Sequence, residues 1–160
     1  MTKKISKLPE SLERVLGVLL EKKVEELMVL DVESVVGYTD YFVIGTGNTS
    51  PHVQAMAEAV AMELKVPGNP VPVEGKTDGT WVLVDQGDFL VHLFQPQARR
   101  FYALEDLWSE SRSVVIDEER ILAEYRKHFK EKILAERASG KVRGKKVAQE
   151  EDEEESSTEE

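Results

Sequence analysis

The chain has 160 residues and no cysteine, which excludes a disulfide framework and any thiolate zinc site. That usage fits a reducing cytosol, although secreted chains can share it. Long apolar runs are missing too. The N-terminal stretch "MTKKISKLPESLERVLGVLLEKKVEEL" is basic and then apolar, like a secretory leader. Glu13, Arg14, Glu21, Lys22 and Lys23 interrupt it, however, and no small-residue cleavage site follows. Nothing approaches the roughly 18–20 apolar residues of a membrane span, so a cytosolic protein without a membrane partner is expected. Basic charge is scarce: 21 Lys and Arg stand against 31 Asp and Glu, a net charge of −10. Residues 150–160, "EEDEEESSTEE", hold eight of those acids and no base, which leaves 23 acids against 21 bases in the other 149 residues. A nearly neutral body has no broad field for gripping phosphates, so primary nucleic-acid binding is not expected.

The residues that are present describe an ordinary domain, and 41% hydrophobic content supports a core. Leu12, Val15, Leu16, Leu19 and Leu20 repeat with helical spacing behind Pro9, with Ser6 as the expected cap. "ELMVLDV" (26–32) and "DYFVIGTG" (40–47) read as strands. "NTSPHVQAMAEAVAMELKV" (48–66) reads as a helix capped by Ser50, with Pro51 in its first turn and Val53, Met56, Ala57, Val60 and Leu64 as its buried stripe. Strands at 71–74, 80–85 and 88–94 follow, then helical turns over 97–108. The order predicts an α/β fold: a mixed β-sheet of about five strands with flanking helices and a hairpin at one end. Beyond it, Ile121, Tyr125, Phe129 and Ile133 mark an amphipathic helix over 117–140, stopped at Gly140. The last twenty residues, basic and then acidic, can bury almost nothing and are expected to be disordered. Three regions result: a domain over 1–109, a helical extension over 110–140 and a tail over 141–160.

"VEGKTDGTWVLVDQGDFLVHLF" (73–94) is the stretch richest in chemistry. With Gln86 and Gly87 as a two-residue turn, Asp85 pairs with Asp88, Val84 with Phe89, Leu83 with Leu90, Val82 with Val91 and Trp81 with His92. Opposed residues share a face. One face, with Val82, Val84, Phe89, Val91 and Leu93, is wholly apolar and must lie on helices. The other carries Trp81, Leu83, Asp85, Asp88, Leu90, His92 and Phe94. Asp88 and His92 lie four residues apart, roughly 13 Å along a strand, too far to share one ion through bonds of about 2 Å. Carboxylates beside a turn and a satisfied histidine beside a tryptophan are the plain reading of these residues. A flat surface of Trp, Phe, Leu and His ringed by charge also has the anatomy of a protein interface, and that is the reading adopted. "GTGNTSP" (45–51) lacks the spacing of a phosphate loop and reads as a strand end before a capped helix. His52 and His128 read as surface residues. No nucleophilic triad can be assembled, and no catalysis, metal or cofactor is expected.

The ordered set TDYFVI (39–44), Gly45, Thr49–Ser50, VEG (73–75), Trp81–Val82, Asp85, Gly87–Asp88, Val91–His92, Phe94, Arg100, Phe101–Tyr102, Leu104–Glu105 and Leu107–Trp108 resembles the ribosomal silencing factor, or Iojap-like, family over about residues 8–109. The resemblance implies a nucleotidyltransferase-like topology without a working carboxylate pair. It also implies a non-enzymatic role: binding the fourteenth protein of the large ribosomal subunit, blocking subunit joining and repressing translation when nutrients are short. Some relatives are linked to large-subunit assembly, and several self-associate, so an assembly factor and a homodimer are alternatives. A nucleotidyltransferase-type enzyme using Asp85, Asp88 and a divalent ion is a further one. On this reading the partner docks on Trp81, Leu83, Asp85, Asp88, Leu90, His92 and Phe94, with Glu74, Arg99 and Tyr102 at the rim. The helix beyond 117 has no counterpart in the motif set. It has three readings: packing on its own domain, pairing with a second copy, or lying along ribosomal RNA through Arg126, Lys127, Lys130 and Lys132.

Overall fold

A computed structural model of the protein describes residues 2–3, 8–108 and 110–140. The expected Ser6 cap and the tail over 141–160 lie outside the described residues. In chain order the elements are β1 (Thr2–Lys3), α1 (Glu10–Glu21), β2 (Glu25–Asp31), α2 (Glu33–Val36), β3 (Tyr41–Thr46), α3 (Ser50–Leu64), β4 (Val73–Glu74), β5 (Trp81–Asp85), β6 (Phe89–Phe94), α4 (Pro96–Tyr102), α5 (Leu104–Leu107), β7 (Arg112–Val114) and α6 (Glu118–Ala138). The strands form one mixed sheet in the order β1-β7-β2-β3-β6-β5-β4. The five adjacent strands β2-β3-β6-β5-β4 are those expected from sequence; the two-residue β1 and three-residue β7 extend the sheet beyond β2. β3 and β6 run parallel, which requires the crossover through α3, while β2–β3, β5–β6 and β4–β5 are antiparallel.

Two apolar stripes close one face of this sheet. Leu12, Val15, Leu16 and Leu19 of α1 and Val53, Met56, Ala57 and Val60 of α3 pack on Val29, Val43, Val82, Val84, Phe89, Val91 and Leu93. All of these side chains are essentially removed from water, and each contributes about 1.5–3 kcal/mol for a full-sized aliphatic or aromatic group. The α3 cap is Thr49, one residue before the expected Ser50: Thr49 Oγ1 accepts from His52 N at 3.2 Å. Ser50 Oγ instead donates to Asp78 O at 2.9 Å, which ties the helix start to the loop before β5.

Among the described residues the first compact unit ends at Tyr125 and the second begins at Arg126. Past residue 109, β7 joins the sheet, and Ile116, Ile121 and Tyr125 pack on the closed core. Gly17 makes the last contact fit. It sits inside α1, where glycine costs about 1 kcal/mol relative to alanine, and a Cβ there would collide with the Tyr125 side chain.

Candidate functional site: the open face of the sheet

The other face begins with the β5–β6 hairpin. Its observed register is Trp81 opposite Phe94, Val82 opposite Leu93, Leu83 opposite His92, Val84 opposite Val91 and Asp85 opposite Leu90. That is two positions from the pairing a two-residue turn would impose. The longer loop is pinned to the start of β3: Thr39 Oγ1 donates to Gly87 O at 2.9 Å and Asp40 N to Asp88 O at 2.9 Å. Because side chains alternate with period two, a two-position slip leaves every strand residue on its expected face. Asp88 alone changes place: it sits exposed in the loop rather than opposite Asp85.

Register in the neighbouring strands then builds a floor. Leu30, Phe42 and Leu90 lie side by side across β2, β3 and β6, as do Met28, Ile44 and His92. Leu30, Val32, Phe42, Ile44 and Phe94 are buried beneath Ala98 of α4 and Leu104 of α5, with Trp81, Leu90 and Trp108 half-covered. These two short helices cover less than α1 and α3 do, so an aromatic band stays within reach of the surface. Trp81 lies 5.1 Å from Phe94 and 4.6 Å from Tyr102, and Tyr102 lies 5.0 Å from Phe101. Toward the opposite end, Phe42 meets His92 edge-on at 5.0 Å and Tyr38 at 6.4 Å.

Trp81 is oriented by its neighbours. Its Nε1 donates to His92 Nδ1 at 3.2 Å. The VEG turn holds the entry to β5: Gly75 has φ +81, and a Cβ there would strike the Trp81 carbonyl. Gln54 Nε2 donates to Lys76 O at 2.7 Å, and Gln95 Nε2 to Gly79 O at 2.9 Å, fixing both ends of that loop. With Nδ1 accepting, the neutral His92 ring carries its proton on Nε2, which is buried and has no hydrogen-bond partner among the described residues. Burial pushes the His92 pKa from the ordinary 6.5 down to about 4.

The expected contact residues therefore divide. Trp81, Leu83, Asp85 and Leu90 are partly accessible, and Asp88, Glu74 and Tyr102 are exposed. Glu74 lies opposite Leu83 at the hairpin's outer side, which suits a rim. Phe94, 1% exposed, and His92, 6% exposed, support the surface from below. Arg99 is not at the rim: 7% exposed, it pairs with Glu105 at 3.1 Å and donates to Glu26 O at 2.6 Å and Thr46 Oγ1 at 2.9 Å. Glu26 presents that carbonyl from a left-handed backbone (φ +50) at a bulge in β2. Arg99 thus clamps α4 and α5 to the sheet.

Three accessible apolar residues were not among the expected contact residues, although Phe101 and Leu107 belong to the motif set: Tyr38 (62% exposed), Phe101 (79%) and Leu107 (66%). A signal was available for one of them. Neighbours in a helix point about 100° apart, so a seven-residue helix holding both Phe101 and Tyr102 cannot bury both. His52, expected at the surface, is half-buried and structural: Nδ1 accepts from Asn48 N at 3.0 Å and Nε2 donates to Lys22 O at 2.7 Å. Among the described residues no three His, Asp or Glu side chains gather as a metal group, and no helix is long and apolar enough to cross a membrane.

Fold and site together define an α/β domain whose sheet is sealed by helices on one face and left partly open, with an aromatic band, on the other. The family model described as "Ribosomal silencing factor during starvation" matches residues 5–156, and the chain belongs to this family. The match runs well past the motif set that ends at Trp108. The ribosomal silencing factor RsfS of Bacillus subtilis is 38% identical over 92 residues, covering 57% of this chain and 78% of that one. The mouse protein named mitochondrial assembly of ribosomal large subunit protein 1 is 34% identical over 102 residues, covering 61% of this chain and 45% of its own length. A crystal structure of a Chromobacterium violaceum protein superposes with a TM-score of 0.60 at 31% identity, covering 64% of this chain and 87% of that one.

Proposed function

We propose that this protein represses translation by occupying a face of the large ribosomal subunit, docking on the subunit's fourteenth protein and so excluding the small subunit. The observation that carries the reading is the half-open aromatic face, a feature that a sealed α/β core does not need. Trp81 is the central anchor, flanked by Leu83, Leu90 and Tyr102, while Asp85, Asp88 and Glu74 form an acidic rim suited to a basic ribosomal protein. His92, Phe94 and Arg99 hold that surface in shape. The mechanism is steric and needs no bond chemistry, cofactor or metal, and its place of action is the cytosol, where ribosomes join. The test is subunit joining followed on sucrose gradients. Adding the chain to large and small subunits should reduce the joined peak as its concentration rises, and Trp81→Ala should not. Undiminished joining at saturating protein would overturn the reading. Sedimentation of the free protein, alone and with excess fourteenth protein, tells whether a homodimer uses the same face.

A further inference from the structure

The near-neutral balance of residues 1–149 is an average over two opposite fields. Residues 1–125 carry 12 basic and 21 acidic side chains, a net of −9. Residues 126–149 carry nine basic and two acidic ones, a net of +7. The sign changes where the first compact unit ends, between Tyr125 and Arg126. α6 runs through that point. Its first part is anchored, with Ile121 buried and Tyr125 over Gly17, whereas every residue from Arg126 to Lys132 is exposed.

Helical geometry orders the charge. At about 100° per residue, Arg126, Lys130 and Arg137 fall within an arc of about 40°, with Lys127 beside it. From Arg126 to Arg137 this ridge is about 16 Å long at roughly 1.5 Å per residue. Glu131 and Glu136 stand at least about 80° away from its centre. An interfacial membrane helix needs a continuous apolar face. Phe129 and Ile133 continue the apolar stripe of Ile121 and Tyr125 for one more turn, but Glu136 takes the next place on it and Leu134 lies about 140° from Phe129, so residues 126–138 carry only a narrow, interrupted strip. A row of cations beside so short an apolar strip fits a polyanion read through its phosphates.

We propose that residues 126–137 form an arm that grips the phosphate backbone of double-helical RNA, a contact separate from the open sheet face. The division of charge fits two partners of opposite sign: the acidic sheet domain takes a basic protein, and the basic helix takes RNA. The identification of that RNA as ribosomal rests on the function proposed above; the phosphate contact itself does not. Recognition of this kind is independent of sequence and sensitive to salt.

The test is fluorescence anisotropy of the full chain with a labelled RNA duplex of about 20 base pairs, a length on the scale of double-stranded RNA modules, across a salt series. The expected result is binding that weakens as salt rises. The variant Lys127→Glu, Lys130→Glu, Arg137→Glu should bind at least about tenfold more weakly, with a salt slope smaller by about one for each phosphate no longer neutralised. The Gln version of the same three substitutions, which does not oppose the helix dipole, should fall between. Neither set should weaken docking to the isolated fourteenth protein, and Trp81→Ala should leave duplex binding intact, so the two surfaces fail separately. Absence of duplex binding at low salt, equal binding by the Glu variant, or binding to phosphatidylserine vesicles in place of RNA would overturn the proposal.

Discussion

The two faces of the sheet are made from the same strands and differ in what covers them. α1 and α3, of 12 and 15 residues, seal one face so fully that Val82, Val84, Phe89, Val91 and Leu93 have no exposure at all. The seven and four residues of α4 and α5 bury Phe42, Ile44 and Phe94 on the other but leave Trp81 and Leu90 half-covered and Tyr102 in water. One face is wholly apolar along the hairpin and the other mixes aromatics with Asp85 and His92, and the length of the covering helices widens that difference. A sheet face under long amphipathic helices is core, and aromatic residues under short helices become a surface with a rigid floor.

That contrast can be broken from either side. The largest stability effect should come from the sealed face: Phe89→Ala removes a fully buried ring and should cost about 3–5 kcal/mol in urea denaturation. Trp81→Ala, half-exposed, should cost less stability than that while removing most of the docking.

The buried histidine below the open face should be next. His92 is neutral in the folded protein with a pKa of about 4, whereas the unfolded chain takes up a proton near 6.5. The unfolded state therefore binds more protons between those values. Stability should be fully present above pH 6.5 and should fall as pH drops toward 4, by up to about 3 kcal/mol. His92→Gln should flatten that window in denaturation curves taken from pH 7 to 4.5; an unchanged slope would show that His92 is not the group responsible.

Arg99→Ala follows at about 2–3 kcal/mol, since it strands Thr46, Glu105 and the Glu26 carbonyl. Because the clamp holds α4 and α5, this variant should also weaken docking although Arg99 itself is buried. The smallest effect should be Gly17→Ala. It gains helix propensity but displaces Tyr125, for a net loss of about 1–2 kcal/mol, visible as faster hydrogen exchange in the first turns of α6.

Much of this was legible in the sequence because it is local and periodic. The stripes of α1 and α3 follow helical spacing, and the hairpin faces follow strict alternation, which survived a wrong turn length because the slip was even. The misses come from long-range contacts. Thr39 and Asp40 reach across to fix the loop at Gly87 and Asp88, and no spacing within 81–94 reports that. Arg99 reads as a rim charge until Glu26 and Thr46, far away in sequence, meet it. The Thr49 cap was a one-residue error, resolved by Ser50 having another acceptor at Asp78. The charge division at Tyr125 was present in the sequence throughout, but only the boundary of the compact unit shows where to divide it.

The most direct measurement is sedimentation of the purified chain with isolated large subunits, isolated small subunits and joined ribosomes, with Trp81→Ala run beside it. Pelleting with free large subunits alone, lost in the variant while its unfolding stays cooperative, is the result expected if the open face is the working surface. Equal pelleting of the two proteins, or none with any particle at low and moderate salt, would contradict it.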